Sequence, residues 1–293
     1  MTATLTVGLV QLTVGDDPAA HLGQTLDLIR QAAAQGARWV LTPEATNLLS
    51  PDRARQAQIL RPEDQDITLA ALRAEARALG IWVLAGSLAL TTGDPDGRFA
   101  NRSLLIAPDG GIAARYDKLH MFDVDLGDGQ SFRESAAYRP GDRAVLAQVD
   151  GVPVGMTVCY DLRFPQLYRA LAQAGARVLT VPSAFHPVTG AAHWEVLLRA
   201  RAIETGCFVL APAQCGTHPA PHAPDRPPRV SHGRSLVVDP WGRVLADGGV
   251  TPGLTIVSLD LSAVDEARSR IPSLTHDRPF AAPEGHDTTR DRP

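Results

Sequence analysis

The sequence is short of cysteine, of long apolar runs and of charge of either sign, and each shortage excludes a class of protein. Three cysteines among 293 residues, an odd number with no CxxC spacing, cannot make a disulfide scaffold or a zinc-ribbon knuckle. They read as free thiols in a reducing, cytoplasmic compartment. No apolar run approaches the roughly 20 residues that a membrane-spanning helix needs. The start, Met1-Thr2-Ala3-Thr4-Leu5, has neither the cationic region nor the apolar stretch of a signal peptide. A net charge of -4 with scattered basic residues leaves no footprint for nucleic acid. The nine histidines form no HxxxH or HExxH pattern. His218 and His222 share a Pro-rich loop, but no Cys or carboxylate set accompanies them, so no metal is expected. No solenoid repeat and no internal domain boundary is visible.

What is present is an ordinary globular composition, 44% hydrophobic and 20% charged. Residues 4–12 read as a buried strand and 20–35 as a helix, with Leu22, Leu26, Ile29 and Ala33 at helical spacing. Residues 37–41 read as a second strand, broken by Pro43. That βαβ unit favours parallel pairing. A helix over 64–79 and a hairpin of strands 81–90 and 99–107 follow, then a strand from Ile112 to Tyr116. Residues 123–141 read as a loop that packs through Phe132 and Tyr138. Strands 144–149 and 152–158 lead into a helix over 166–175. Further strands are expected at 176–181, 207–212, 235–238, 243–246 and 254–259. Long and short helices fall at about 189–205 and 262–270. Residues 214–229 read as a flexible loop. The pattern predicts one α/β domain over 1–276, two βαβ-rich sheets packed face to face, and a polar tail over 277–293 that is disordered or docks on a partner.

Four reactive residues stand out by position. Cys159 sits where a buried strand turns sharply into a helix, a place that exposes a nucleophile near backbone N–H groups. The plain alternative is a small buried hydrophobe. Glu44 follows Val-Leu-Thr-Pro at a strand end, either as a helix-start residue or as a base facing a pocket. Lys118 follows a strand amid Asp117 and His120, either a surface lysine or a fixed cation beside a reacting carbonyl. Glu134 lies in the anchored loop. Together they are complete for amide hydrolysis without a metal: a thiol to attack, a carboxylate to move its proton, an ammonium for the oxyanion, and a second carboxylate to position them.

The segments Thr42-Pro43-Glu44, Tyr116-Asp117-Lys118-Leu119-His120 and Val158-Cys159-Tyr160-Asp161-Leu162-Arg163-Phe164-Pro165 resemble the three signatures of the nitrilase (carbon–nitrogen hydrolase) superfamily, in the same order. Phe132-Arg133-Glu134-Ser135 resembles its accessory-glutamate segment. Residues 192–204 and Asp239-Pro240-Trp241-Gly242 are similar to the Nit branch. The likeness runs from about residue 4 to 279. It implies a four-layer αββα sandwich, two mixed sheets inside and helices outside, usually paired as a homodimer, with no metal or organic cofactor. It implies Cys159 as nucleophile, Glu44 as general base and acid, Lys118 and the Tyr160 N–H as oxyanion donors, and Glu134 as accessory carboxylate. Within that branch the expected substrate is the amide of an α-keto acid, hydrolysed through a thioester. Deaminated glutathione, giving 2-oxoglutarate and Cys-Gly, is the leading expectation. The alternatives are an ω-amidase releasing ammonia from α-ketoglutaramate or α-ketosuccinamate, an N-carbamoyl amino-acid hydrolase, or a silent ligand-binding protein that keeps the fold. A substrate carboxylate needs a cation, and Arg163, four residues after Cys159, can supply one; Phe185 and Thr189 are expected to add a wall and a donor. The Pro-rich loop 219–228 and the C-terminal stretch 275–280 depart from the branch's pattern.

Overall fold

The structure, a computed structural model, describes residues 4–127 and 131–281; most of the expected tail lies outside these, as do Asp128 and Gly129 of the expected loop. The chain begins with β1 (Thr4–Gln11) and α1 (Pro18–Ala34). Asp17 starts that helix by accepting the Ala19 N–H, and Pro18 presets its first turn. β2 (Trp39–Leu41), α2 (Arg53–Ile59) and α3 (Ile67–Leu79) follow. The α3 helix is shorter than expected, because Asp66 caps it and residues 63–65 turn separately. Next come β3 (Trp82–Thr91), β4 (Phe99–Ile106) and β5 (Ile112–Asp117). The loop expected over 123–141 contains a small hairpin, β6 (Asp123–Asp125) with β7 (Ser131–Arg133).

The second half runs through β8 (Val145–Val149), β9 (Val152–Met156), α4 (Pro165–Gln173), β10 (Val178–Thr180), α5 (Pro187–Thr205) and β11 (Phe208–Ala211). The stretch expected as a loop over 214–229 begins with β12 (Cys215–Thr217), which pairs with β13 (Val230–His232). Three-residue strands joined across a long loop leave no periodicity to read. The chain closes with β14 (Leu236–Val238), β15 (Val244–Asp247), β16 (Gly253–Asp260) and α6 (Ser262–Arg270).

Twelve of these strands make two six-stranded sheets, in the orders β16-β1-β2-β3-β4-β5 and β15-β14-β11-β10-β9-β8. Each has the same plan. Three central strands run parallel (β1, β2, β3; β9, β10, β11), and antiparallel strands flank them on both sides. The two sheets bury their facing sides in one core that joins Val7, Leu9, Trp39, Leu41 and Tyr116 to Val149, Val154, Met156 and Val178. The outer face of the first sheet is covered by α1 and α3, through Ile29, Ala32, Leu69 and Leu72. On the second, α4 and α5 pack through Leu171, Trp194, Leu198 and Ala202. The αββα sandwich is therefore present as expected. No helix among the described residues is long and apolar enough to cross a membrane.

Candidate active site

Three strand ends deliver the reactive residues to one place. Glu44 stands two residues beyond the Thr42 that follows β2. Its loop is pinned by Thr46 Oγ1 donating to the Pro43 carbonyl at 2.7 Å and by the Ala45 N–H donating to Ser87 Oγ at 2.9 Å. Gly86 makes this possible. A Cβ there would stand 1.9 Å from the Thr42 carbonyl oxygen, so only glycine lets β3 approach so closely. Lys118 directly follows β5, its N–H held by the Asn101 carbonyl at 3.0 Å. Cys159 opens a short 3-10 turn over Cys159–Arg163, just past β9. Its N–H donates to the Pro182 carbonyl at 3.0 Å. Cys159 and Ala45 are both in the left-handed region, with φ of 50° and 56°. Non-glycine residues held there mark sites where the surroundings impose strain.

The side chains converge. Lys118 Nζ donates to Glu44 Oε1 at 3.1 Å and to both oxygens of Glu134 at 2.9 and 2.8 Å. Glu134 Oε2 also accepts the Phe122 N–H at 2.6 Å. Glu44 Oε2 accepts the Ala184 N–H at 2.8 Å, and its carboxylate lies near enough to the Cys159 thiol for each to shift the other's proton affinity. All of this is out of water: Lys118 is 2% exposed, Glu44 6% and Cys159 8%. Burial alone would raise the Glu44 carboxyl, but the Lys118 ammonium, the thiol, Asn101 and the Ala184 N–H together hold it below the usual carboxylate range. Burial pushes the Cys159 thiol well up, and the Glu44 charge adds to this against the pull of Lys118. Burial would lower Lys118, but Glu134 and Glu44 outweigh it and hold the ammonium well above its usual range. At neutral pH the resting site is therefore a carboxylate base near a neutral thiol, beside a permanent cation. Such a pair transfers the thiol's proton as attack begins, in place of storing a thiolate.

Of the other expected residues, Tyr160 follows Cys159 on the turn. Arg163 closes that turn. Its guanidinium lies over the Tyr160 and Phe185 rings, 5.9 and 5.7 Å from their centroids, and its Nη2 is 3.3 Å from His193 Nδ1. Among the described residues no carboxylate pairs with it. Phe185 is buried against Trp194. Thr189 sits in the first turn of α5, its hydroxyl donating to the His186 carbonyl at 3.3 Å. The two loop histidines have separate partners. His218 bonds to the Val14 carbonyl and Ser231 Oγ, and His222 to Asp16. Cys207 and Cys215 are buried and free.

Carbon-nitrogen hydrolase, as a family profile, matches residues 6–269. The chain belongs to this family. As a carbon-nitrogen hydrolase it is similar to the deaminated glutathione amidase of Yersinia enterocolitica, 37% identical over 93% of this chain and 92% of that one. It is likewise similar to the human deaminated glutathione amidase, at 38% over 93% of this chain and 82% of the human protein. Among solved structures it superposes on the C. elegans NitFhit protein with a TM-score of 0.83 at 34% identity, covering 94% of this chain but 65% of that longer one, just under two thirds. An amidase from Nesterenkonia sp. AN1, crystallised as a Glu→Gln variant with acrylamide added at its active site cysteine, matches with a TM-score of 0.73 at 28% identity over 92% of this chain.

Sequence reasoning missed part of the hydrolase's site. Asn101 Nδ2 donates to Glu44 Oε1 at 2.8 Å and reaches Glu134 Oε1 at 3.4 Å, so one amide bridges both carboxylates. Gln214 Nε2 holds the Glu44 carbonyl at 3.0 Å. Arg201 of α5 is buried, and Nε and Nη2 both donate to the Leu162 carbonyl behind the Cys159 turn. For Asn101 there was no signal, since the Arg102 and Ser103 that follow it in β4 are polar as well. For Arg201 it was a basic residue one turn after Leu198 and two after Trp194, on the apolar face of α5.

Proposed function

We propose that this carbon-nitrogen hydrolase is a thiol amidase acting on the amide of an α-keto acid, with deaminated glutathione as its substrate. Glu44 takes the Cys159 proton as Sγ attacks the amide carbon. Lys118 Nζ and the Tyr160 N–H stabilise the oxyanion. The C–N bond breaks as Glu44 returns the proton to the departing Cys-Gly amine. Water, deprotonated by Glu44, then attacks the thioester, releases 2-oxoglutarate and restores the thiol. Glu134 keeps Lys118 charged and oriented. The observation that carries this reading is that Glu44, held ionised by Lys118 at 3.1 Å, and a neutral Cys159 thiol are buried together in one site. The names of the relatives above support the substrate. An arginine held over two rings with no described carboxylate partner supports a substrate carboxylate at Arg163, with Phe185 as wall and Thr189 nearby.

Two further readings accompany it. Three buried free thiols support a reducing compartment, the cytoplasm. Val188, Val196 and Ile203 stand outward on α5, 62%, 67% and 55% exposed. With half-exposed Trp241 they support a homodimer packed through this helical layer.

The test is one assay. The protein is incubated with deaminated glutathione and, separately, with α-ketoglutaramate, while Cys-Gly and ammonia are measured and iodoacetamide adducts are mapped. Efficient Cys-Gly release that is abolished by labelling at Cys159 is expected. Ammonia release far exceeding Cys-Gly release makes the enzyme an ω-amidase. Undiminished turnover after complete labelling of Cys159 removes the thiol mechanism.

A further inference from the structure

Asp161 takes no part in the chemistry above, yet its carboxylate is fully buried and accepts from four donors in two sheets. Oδ2 accepts the Tyr116 hydroxyl at 2.6 Å and the Val158 N–H at 2.9 Å. Oδ1 accepts the His120 N–H at 3.0 Å and pairs with His120 Nδ1 at 2.7 Å. Because the partner is a carboxylate, Nδ1 carries the proton. Tyr116 and His120 stand two residues before and two after Lys118, at the end of β5 in the first sheet. Val158 directly precedes Cys159 at the end of β9 in the second. The His120 ring lies flat on Phe164, at 3.5 Å between centroids and 8° between planes. Phe164 in turn donates its N–H to the Asp161 carbonyl at 2.9 Å.

We propose that Asp161 is a positioning residue that sets the distance between Lys118 and Cys159 across the two sheets, with His120 and Tyr116 as its arms on the lysine side. This rests on the roles given to Cys159 and Lys118 above. The oxyanion forms on a carbon bonded to Sγ, so the ammonium must sit at a fixed offset from the sulfur. The two residues come from different sheets, and no strand pairing fixes that offset. A side chain bracketing Lys118 on both sides and gripping the residue before Cys159 does. The same grip on the Val158 N–H holds the backbone next to the left-handed Cys159. A carboxylate suits this place because both of its oxygens only accept. An amide would put an NH2 group, itself a donor, in place of one oxygen and so against two of the four donors already there.

The experiment compares purified variants on deaminated glutathione, with far-UV circular dichroism and thermal melting as controls for folding. In Asp161→Asn, kcat is expected to fall by about 10²-fold, the scale of an ångström-sized misplacement of a reacting group, while KM, which reads ground-state binding, changes by less than about threefold. A second pair keeps the question open to refutation if Asp161→Asn does not fold. His120→Ala loses the ring donor and is expected to lower kcat about tenfold or more. His120→Asn places an amide N–H near the lost Nδ1–H and is expected to recover most of that loss. A folded Asp161→Asn enzyme with wild-type kcat overturns the proposal, and so does equal impairment of His120→Ala and His120→Asn. Cys159→Ala is run alongside. If it stays active, the thiol mechanism itself falls; if it is dead while His120→Ala runs at full rate, only the positioning role falls.

Discussion

Arg163 shows how much one side chain can decide. Its charge is held by two aromatic faces and a histidine nitrogen, none of which neutralises it. A lysine at that position would keep the charge but lose the flat surface and the two-pronged donor set. Charge-assisted hydrogen bonds contribute roughly 1.5–3 kcal/mol each, so losing one weakens binding about tenfold or more. Arg163→Lys is expected to raise KM for an α-keto acid amide by about that factor, with little change for a neutral amide such as butyramide. Steady-state kinetics on both substrates reads the ratio, and an unchanged ratio takes Arg163 away from the carboxylate. At this scale the reactive groups were legible, because Cys159, Lys118 and Glu44 stand at expected strand ends and Glu134 in an anchored loop, all in segments that resemble the family's signatures, and the structure brings the four together. Asn101 and Gln214 were not. Each acts on Glu44 from 57 and 170 residues away, and nothing near them in the chain announces that contact.

Among the elements, the β12–β13 ribbon was the least legible, and its loop carries a histidine that resists protonation. Its loop folds back on the first half of the chain through His218, which bonds to the Val14 carbonyl and Ser231. Burial pushes the His218 imidazole down from its ordinary 6.5 to about 4. The unfolded chain binds a proton at that residue near pH 6.5, while the folded chain resists it until about pH 4. Stability from this residue is thus complete above pH 6.5 and drains away as the pH falls toward 4. By pH 5 the loss is about 2 kcal/mol. Urea unfolding at pH 7 and pH 5 checks it: His218→Asn is expected to lose less stability between the two than wild type, by about that amount. Equal losses would clear His218. The larger elements were legible because helices of 13 to 19 residues such as α1, α3 and α5 repeat their apolar positions several times. The caps Asp66 and Gly80 bound α3 within a few residues of where composition places its ends.

At the scale of the whole molecule, the two-sheet plan followed from strands alternating with helices in both halves, and the shared core confirms it. What the chain did not announce is which outer face stays uncovered. The second helical layer leaves Val188, Val196 and Ile203 outward, and a run of this kind on a long helix suits a second copy of the same helix. Val196→Glu buries a charge in that contact. It is expected to lower the mass found by sedimentation from twice 31.2 kDa to 31.2 kDa, with the circular dichroism spectrum retained. A wild-type protein that sediments at 31.2 kDa removes the dimer.

The left-handed backbone at Cys159 has a consequence for the enzyme's stability as well as its rate. At most positions alanine is worth more to a fold than glycine, because glycine surrenders more freedom on folding. At φ 50° the ranking inverts, since any Cβ there meets the following carbonyl at a cost of about 1–2 kcal/mol. Cys159→Ala and Cys159→Gly both remove the thiol, and the glycine form is expected to unfold at higher urea than the alanine form, by about 1 kcal/mol. Equal midpoints, or alanine ahead, would show the turn to be relaxed. Cys159 thus sits at a point of local frustration, where sequence and backbone disagree. Selection for folding alone would drift this residue toward glycine, so a cysteine there fits the nucleophile role proposed above.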